Sequence, residues 1–214
     1  MSVRKSPHLP LETLQPYLLE LSDPPVRLDW RAVFGNDRAV EMEVGFGKGL
    51  FLVTSALARS DVNFVGIEIV RKYQLFTANR IAKRSLTNVR LACADAKLFL
   101  RDGVASGSLA ALHVYFPDPW WKKRHHKRRV FTGEFVSECV RVLQPDGHLC
   151  FASDVEEYAT MVTDLIAAEP RLSPLPPLEL GTPAHEMDYL TNFERKARLI
   201  GKSVHRRTYV RNEG

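Results

Sequence analysis

Short apolar runs alternate with stretches of helical spacing from residue 38 onward. Runs at 39–44, 63–69, 89–94, 109–116 and 148–153 are short, apolar and bounded by turn residues, which predicts buried strands. Between them, 48–58, 71–84, a short piece around 96–100, 132–143 and a segment from 154 or 155 to 169 carry helix patterns. Thr132 suits the helix N-cap, and Pro145-Asp146-Gly147 are the breakers expected at that helix's end. Strand–helix alternation with right-handed crossovers predicts a doubly wound, mostly parallel α/β sheet in a single domain over 38–214.

The flanks read differently. Residues 1–37 hold scattered prolines and one short amphipathic stretch, 11–21, interrupted by Pro16, which predicts a partly ordered arm or lid. The five prolines of 170–183 predict a loop or linker. Segment 192–200 fits helix or strand equally. Segment 204–210 is β-branched and aromatic, and predicts a last strand in a closing hairpin.

Composition narrows the picture. The 214 residues are 45% hydrophobic and 26% charged, enough for one domain with a substantial core. The net charge of +5 is placed unevenly, in 124–129 and in a tail from Arg195 to Arg211, which favours a polyanionic partner. Cys93, Cys139 and Cys150 have neither CxxC spacing nor an even count, so no disulfide frame and no zinc site are expected. The first residues lack a signal peptide's apolar core and no run approaches a membrane span, so a soluble, cytoplasmic protein is expected.

Candidate chemistry begins at Glu43-Val44-Gly45-Phe46-Gly47-Lys48-Gly49, a strand, a glycine loop and a helix start. A nicotinamide dinucleotide site would show G-x-G-x-x-G and would place a pyrophosphate where Glu43 repels it. Here the spacing is G-x-G-x-G, and Glu43 instead suits a cationic ligand without phosphate. S-adenosylmethionine, with its sulfonium and amino group, has that chemistry. Glu68, ending the second strand, matches an acid that binds ribose hydroxyls, and Asp95, just past the third, would meet the adenine amine.

The fourth run ends in Phe116-Pro117-Asp118-Pro119-Trp120-Trp121 and continues into 122–129, with six Lys/Arg and two His. The prolines restrict the backbone on both sides of Asp118 and hold its carboxylate in one direction, at the strand end where open α/β sheets place chemistry. Trp120 and Trp121 offer an apolar wall or a face for base stacking. The cationic run beside them is placed to grip phosphates.

Taken with Gly-Ile-Glu-Ile at 66–69, Ser153-Asp154 and Thr191-Asn192-Phe193-Glu194, these motifs closely resemble bacterial tRNA (guanine-N7)-methyltransferases over about 38–201. The resemblance implies a Rossmann-like class I methyltransferase that uses S-adenosylmethionine to form 7-methylguanosine in the variable loop of tRNA. It assigns Glu43, Glu68, Asp95 and Asp118 to the cofactor, beside the loop glycines Gly45, Gly47 and Gly49, with Asp118 also catalytic. It assigns Lys122, Asp154, Thr191, Asn192, Phe193 and Glu194 to the substrate. Arg124, His125, His126, Lys127, Arg128 and Arg129 go to the RNA. Trp121 stands where the family usually has proline, and Arg206 and Arg207 interrupt the apolar pattern expected of the last strand.

Guanine N7 has a free lone pair on the base edge, so it attacks without prior deprotonation. Asp118 is therefore expected to orient the base or stabilise positive charge developing on it, rather than to act as a general base. Two other readings remain at this stage: a non-catalytic RNA-binding protein with this fold, and a methyltransferase acting on another RNA, DNA or protein.

Overall fold

A computed structural model describes residues 9–23, 25–120, 122–177, 189 and 191–213; Trp121, residues 178–188 and the side chains of Lys123 and His126 lie outside the description. The strands are β1 (Val40–Val44), β2 (Asn63–Glu68), β3 (Val89–Cys93), β4 (Leu109–Tyr115), β5 (Leu143–Ser153), β6 (Leu172–Pro174) and β7 (His205–Arg211). They form one sheet in the order β3-β2-β1-β4-β5-β7-β6. The first five pair in parallel, while β7 lies antiparallel between β5 and β6. Every residue of β1 and β2 is buried, because helices cover both faces, and in β1 that includes Glu41 and Glu43.

The helices are α1 (Leu11–Leu14), α2 (Trp30–Phe34), α3 (Leu50–Ala58), α4 (Arg71–Ala82), α5 (Ala96–Leu98), α6 (Gly133–Val142), α7 (Glu156–Ala167) and α8 (Asn192–Leu199). One core joins Phe51, Leu52, Phe64 and Ile81 beneath α3 and α4. The other joins Val40, Leu112, Phe135 and Val162 beneath α6 and α7. No helix among the described residues is long and apolar enough to cross a membrane.

Three local expectations change. Thr132 does cap α6, accepting from Phe135 N at 3.2 Å, but the chain turns extended already at Leu143. Pro145-Asp146-Gly147 therefore shapes an irregularity inside β5, between the Leu109–Leu143 and Ala111–His148 pairs, instead of ending the helix. Residues 172–174 of the predicted linker form β6, and 192–199 is helical, so β7 closes the sheet against β5 and β6 rather than in a hairpin. The described part of the arm packs along the opposite edge. Leu18 bridges Leu91 in parallel, Leu19 N donates to Leu91 O at 2.9 Å, and Trp30 is buried with its Nε1 on Ser108 Oγ at 3.2 Å. That contact covers β3, which would otherwise be a free edge.

Candidate active site

The glycine loop needs its glycines. Gly45, Gly47 and Gly49 have φ of 74°, 51° and 65°, the left-handed region that side chains resist. Glu68 staples the loop to the end of β2: its Oε2 accepts from Gly47 N and its Oε1 from Val70 N, both at 3.0 Å. Gly45 N adds a 2.7 Å bond to Ile67 O. A Cβ on Gly49 would sit 2.2 Å from Thr77 Cγ2, so α4 leaves it no space. Gly49→Ala is expected to lose about 2–4 kcal/mol of stability, from the combined strain and overpacking, in denaturant titration.

Beside the loop, a cavity of about 210 Å³ is lined by Glu43, Gly45, Gly47, Tyr115, Thr191 and Phe193, among others. Glu43 is buried and its Oε2 has no hydrogen-bond partner among the described residues. Burial pushes its pKa up to about 8; His113 opposes that rise and Glu68 adds to it. A buried carboxylate oxygen without a partner is costly unless a ligand completes it, and a cation completes it best. A larger cavity, about 630 Å³, lies between the arm and α5 and reaches Asp95, but its walls are mostly apolar and none of the other candidate acids line it. Asp95 caps α5, accepting from Lys97 N at 2.9 Å and Leu98 N at 3.3 Å.

At the end of β4, Phe116 and Trp120 both take positive φ, 52° and 44°, on either side of Pro117-Asp118-Pro119. Two side-chain-bearing residues in that region are strained by about 1–3 kcal/mol each, a pattern that clusters at functional sites. Phe116 N is anchored on Ala152 O at 2.7 Å, and Asp118 projects exposed from the turn. Phe193 stacks on Phe116, with centroids 6.2 Å apart and planes 19° from parallel, so α8 is brought against the proline turn. Thr191 caps α8 through Glu194 N at 3.0 Å. Glu194 is buried and ion-pairs with Arg198 at 2.8 Å and with Arg206. Asn192 is half-buried on the cavity wall, and Asp154 meets Lys202 Nζ at 3.3 Å.

The cationic segment winds as a 3₁₀ turn over Lys123–Arg128. Lys122, Arg124, Lys127 and Arg128 are exposed. Arg128 lies over the Trp120 ring at 5.0 Å, and His125 meets that ring edge-on at 5.6 Å. Arg129 turns inward: its Nε donates to Pro119 O at 2.7 Å and its guanidinium covers Tyr158. It ties the proline turn to α7. Arg206 likewise faces inward on β7, whereas Arg207 is exposed.

Sequence reading missed a buried polar chain beneath this cavity. Glu41 takes a bidentate pair from Arg59 at 2.6 and 2.8 Å, His113 Nε2 donates to Glu41 at 3.0 Å, and His113 Nδ1 lies 2.9 Å from the Tyr115 hydroxyl. The available signal was Glu41 and Glu43 two apart in an apolar strand; both point to one face and need partners there. Burial pulls His113 down, but hydrogen bonding to Cys150 and Glu41 more than reverses this, to about 9. Burial raises Glu41 while His113 and Arg59 lower it, to about 2. His113 and Glu43 each hold protons more tightly folded than unfolded, so the folded state binds more protons above neutrality. Stability is then expected to fall as pH rises from about 7 to 9, read as a falling melting temperature.

The fold and the glycine loop are those of a class I S-adenosylmethionine-dependent methyltransferase. The 16S rRNA methyltransferase KamB superposes with a TM-score of 0.64 at 18% identity, covering 91% of this chain and 96% of that one. Residues 37–207 match the model of a family described as putative methyltransferase. A tRNA (guanine-N(7)-)-methyltransferase of Rhodopirellula baltica is 41% identical over 94% of this chain and 76% of its own. One from Bordetella pertussis is 41% identical over 84% and 70%. The chain belongs to the tRNA (guanine-N(7)-)-methyltransferase family.

Proposed function

We propose that the protein methylates N7 of a guanine in the variable loop of tRNA, in the cytoplasm, with S-adenosylmethionine as methyl donor. The observation that carries the reading is Glu43: a buried carboxyl, one of whose oxygens has no hydrogen-bond partner among the described residues, on the wall of a cavity that the glycine loop and the start of α8 also line. When bound, S-adenosylmethionine supplies an electrophilic methyl on sulfur. Glu43 and the loop glycines would hold its amino-acid end, with Glu68 and Asp95 toward the nucleoside.

Asp118, exposed on a turn held by two prolines and two strained residues, faces outward where a base would arrive. Its carboxylate orients the guanine and offsets the positive charge that develops on the purine as N7 is alkylated. Lys122, Asp154, Asn192 and Phe193 would contact the nucleotide, while Thr191 and Glu194, both buried, hold the α8 segment in place through its cap and the ion pairs to Arg198 and Arg206. Arg124, His125, His126, Lys127, Arg128 and Arg129 are assigned to the RNA. Of these, Arg124, Lys127 and Arg128 are exposed for phosphate contact, while Arg129 supports the turn from within. A target base in a loop, or flipped out, satisfies the need for edge access.

The test is methyl incorporation from labelled S-adenosylmethionine into unmodified tRNA transcript, with the product mapped by cleavage specific for 7-methylguanosine. A single cleavage in the variable loop is the expected result. Incorporation elsewhere would discard the site specificity, and tight RNA binding without incorporation would favour a non-catalytic RNA-binding role.

A further inference from the structure

Helix α4 and the turn after it carry a charge pattern that the reaction described above leaves unused. Residues 71–84 hold five Lys/Arg and no acid. A solvated helix face normally mixes both signs, and like charges four residues apart repel. Arg80 and Arg84 are such a pair. Burial lowers the Arg80 pKa, and the Arg84 charge beside it lowers it further. Among the described residues no acid pairs with Arg80, Arg84 or Lys48.

Backbone carbonyls hold this uncompensated charge in place. Arg80 Nη1 donates to Lys48 O of the glycine loop at 2.5 Å, and Arg84 Nη1 donates to Arg80 O at 3.0 Å. The Lys48 and Arg84 side chains are exposed, with Arg80 half-buried between the loop and the helix. Two aromatic rings share the flank. Tyr73 is 37% exposed and Phe76 38%. The helical period puts Tyr73, Phe76 and Arg80 within about 60° of one another, turned away from the buried Gln74, Ala78 and Ile81. From Tyr73 to Arg80 is about 10 Å along the axis. At its N-terminal end the flank meets the Glu43 cavity, which Tyr73 lines beside Lys48, Phe193 and Lys196.

Resting on the proposed function above, we propose that this flank is a second RNA-docking surface, which takes the strand next to the target nucleotide. Lys48 and Arg84 contact its phosphates, with the Arg80 charge behind them, and Tyr73 and Phe76 stack on its bases. Cations that follow a backbone and rings that accept any base are how proteins hold unpaired strands. An acidic protein would also satisfy the cations. The flank, however, begins at the cavity in which the proposed reaction needs a nucleotide, and the strand carrying that nucleotide brings its own phosphates there. Sheet order completes the picture. The 122–129 run follows β4 and α4 follows β2, with β1 and its glycine loop between them. The two basic surfaces therefore flank the cavity, one on either side.

Filter binding of unmodified tRNA transcript to the whole chain, across a salt series, tests the surface. Arg84→Gln is expected to weaken binding about threefold to tenfold at low salt and to reduce the slope of log affinity against log salt by about 0.7–1, the mark of one lost phosphate contact. Phe76→Ala is expected to weaken binding about tenfold with the slope unchanged, because stacking releases no counterions. Neither residue lines the cavity, so both variants should bind S-adenosylhomocysteine as the unaltered protein does. Arg38→Gln removes the same charge from an exposed position just before β1, at the other end of the sheet, and should leave affinity and slope nearly unchanged. If Phe76→Ala loses S-adenosylhomocysteine binding, its fold has suffered and Arg84→Gln against Arg38→Gln decides alone. Unaltered tRNA affinity in the α4 variants would overturn the proposal and leave the flank to an acidic protein. A loss matched by Arg38→Gln would overturn it as an effect of net charge. Failure of the unaltered protein to bind tRNA at all would strike the proposed function and this surface with it.

Discussion

Glu43→Gln is expected to raise the melting temperature of the free protein and to weaken S-adenosylmethionine binding by about 100-fold or more. The two effects share one cause. In the unfolded chain the carboxyl is ionised at neutral pH; in the folded protein burial raises its pKa to about 8, so folding must take up a proton. Moving a group from its ordinary carboxylate range to that value costs about 3 kcal/mol at pH 7. Glutamine removes the ionisation cost but leaves an amide to satisfy, so the net gain should be about 1–2 kcal/mol, a rise of about 2–8 °C at this size. Cofactor binding reverses the balance, because a cation in the cavity makes the charged carboxylate the favoured form. Removing one partner of a buried charge pair costs about 3–5 kcal/mol, well over 100-fold in affinity. Scanning calorimetry and titration of the same sample measure both. Binding to the unaltered protein should also release a proton near pH 7, visible as a calorimetric enthalpy that varies with the buffer's own ionisation heat. An unchanged affinity in Glu43→Gln would remove Glu43 from the cofactor site.

Asp118→Asn should lower kcat by about 100- to 1000-fold while leaving S-adenosylmethionine affinity within a few-fold. The carboxylate is exposed before RNA arrives, so its charge is not spent on holding the fold. In the proposed role its value would appear as positive charge grows on the purine, and preorganised electrostatic groups of that kind account for losses of this size when removed. An amide of the same shape keeps the hydrogen-bonding geometry and discards the charge, separating orientation from charge stabilisation. Single-turnover kinetics at saturating RNA and cofactor is the measurement. Near-normal turnover would show that Asp118 does not act by stabilising charge on the purine.

Much of this architecture was legible along the chain, and the exceptions have physical causes. The parallel strands announced themselves as short, mostly apolar runs bounded by turn residues, because most of their residues are buried between the helix layers. The proline turn was legible because Pro117 and Pro119 act locally, on the residues next to them. Segment 192–200 was ambiguous by periodicity, although Thr191 followed three residues later by Glu194 is the spacing of a helix start. β6 was hidden because it ends in Pro174 at the sheet's edge, a position where a missing N–H costs little. His113 stayed hidden for a different reason. Its neighbours in sequence are apolar, and its partners Glu41 and Arg59 come from elsewhere in the chain. Nothing local distinguishes a histidine in a relay from one in a core.

The inward turn of Arg206 follows from the same non-local logic. On sequence it counted among the tail cations expected to widen the RNA footprint, together with Arg207. The sheet alternates their directions, so one meets Glu194 beneath α8 and the other faces outward. Only Arg207 of the pair remains placed for phosphate contact, and neutralising it alone is the cleaner probe of RNA affinity across a salt series.

The antiparallel insertion of β7 also bears on how the protein is made. A nascent chain can assemble β1 to β5 in the order of synthesis, each strand finding a neighbour already present. β5 must then wait, with one edge bare, until residues 205–211 have left the ribosome and can slide in beside it. Arg206 arrives with that same strand, so the ion pair fastening α8 next to the Glu43 cavity forms only then. A half-synthesised chain therefore has the glycine loop and the proline turn but not the closed wall opposite them. Ribosomes stalled before codon 205 would release a species with the β5 edge bare and prone to edge pairing with its own kind.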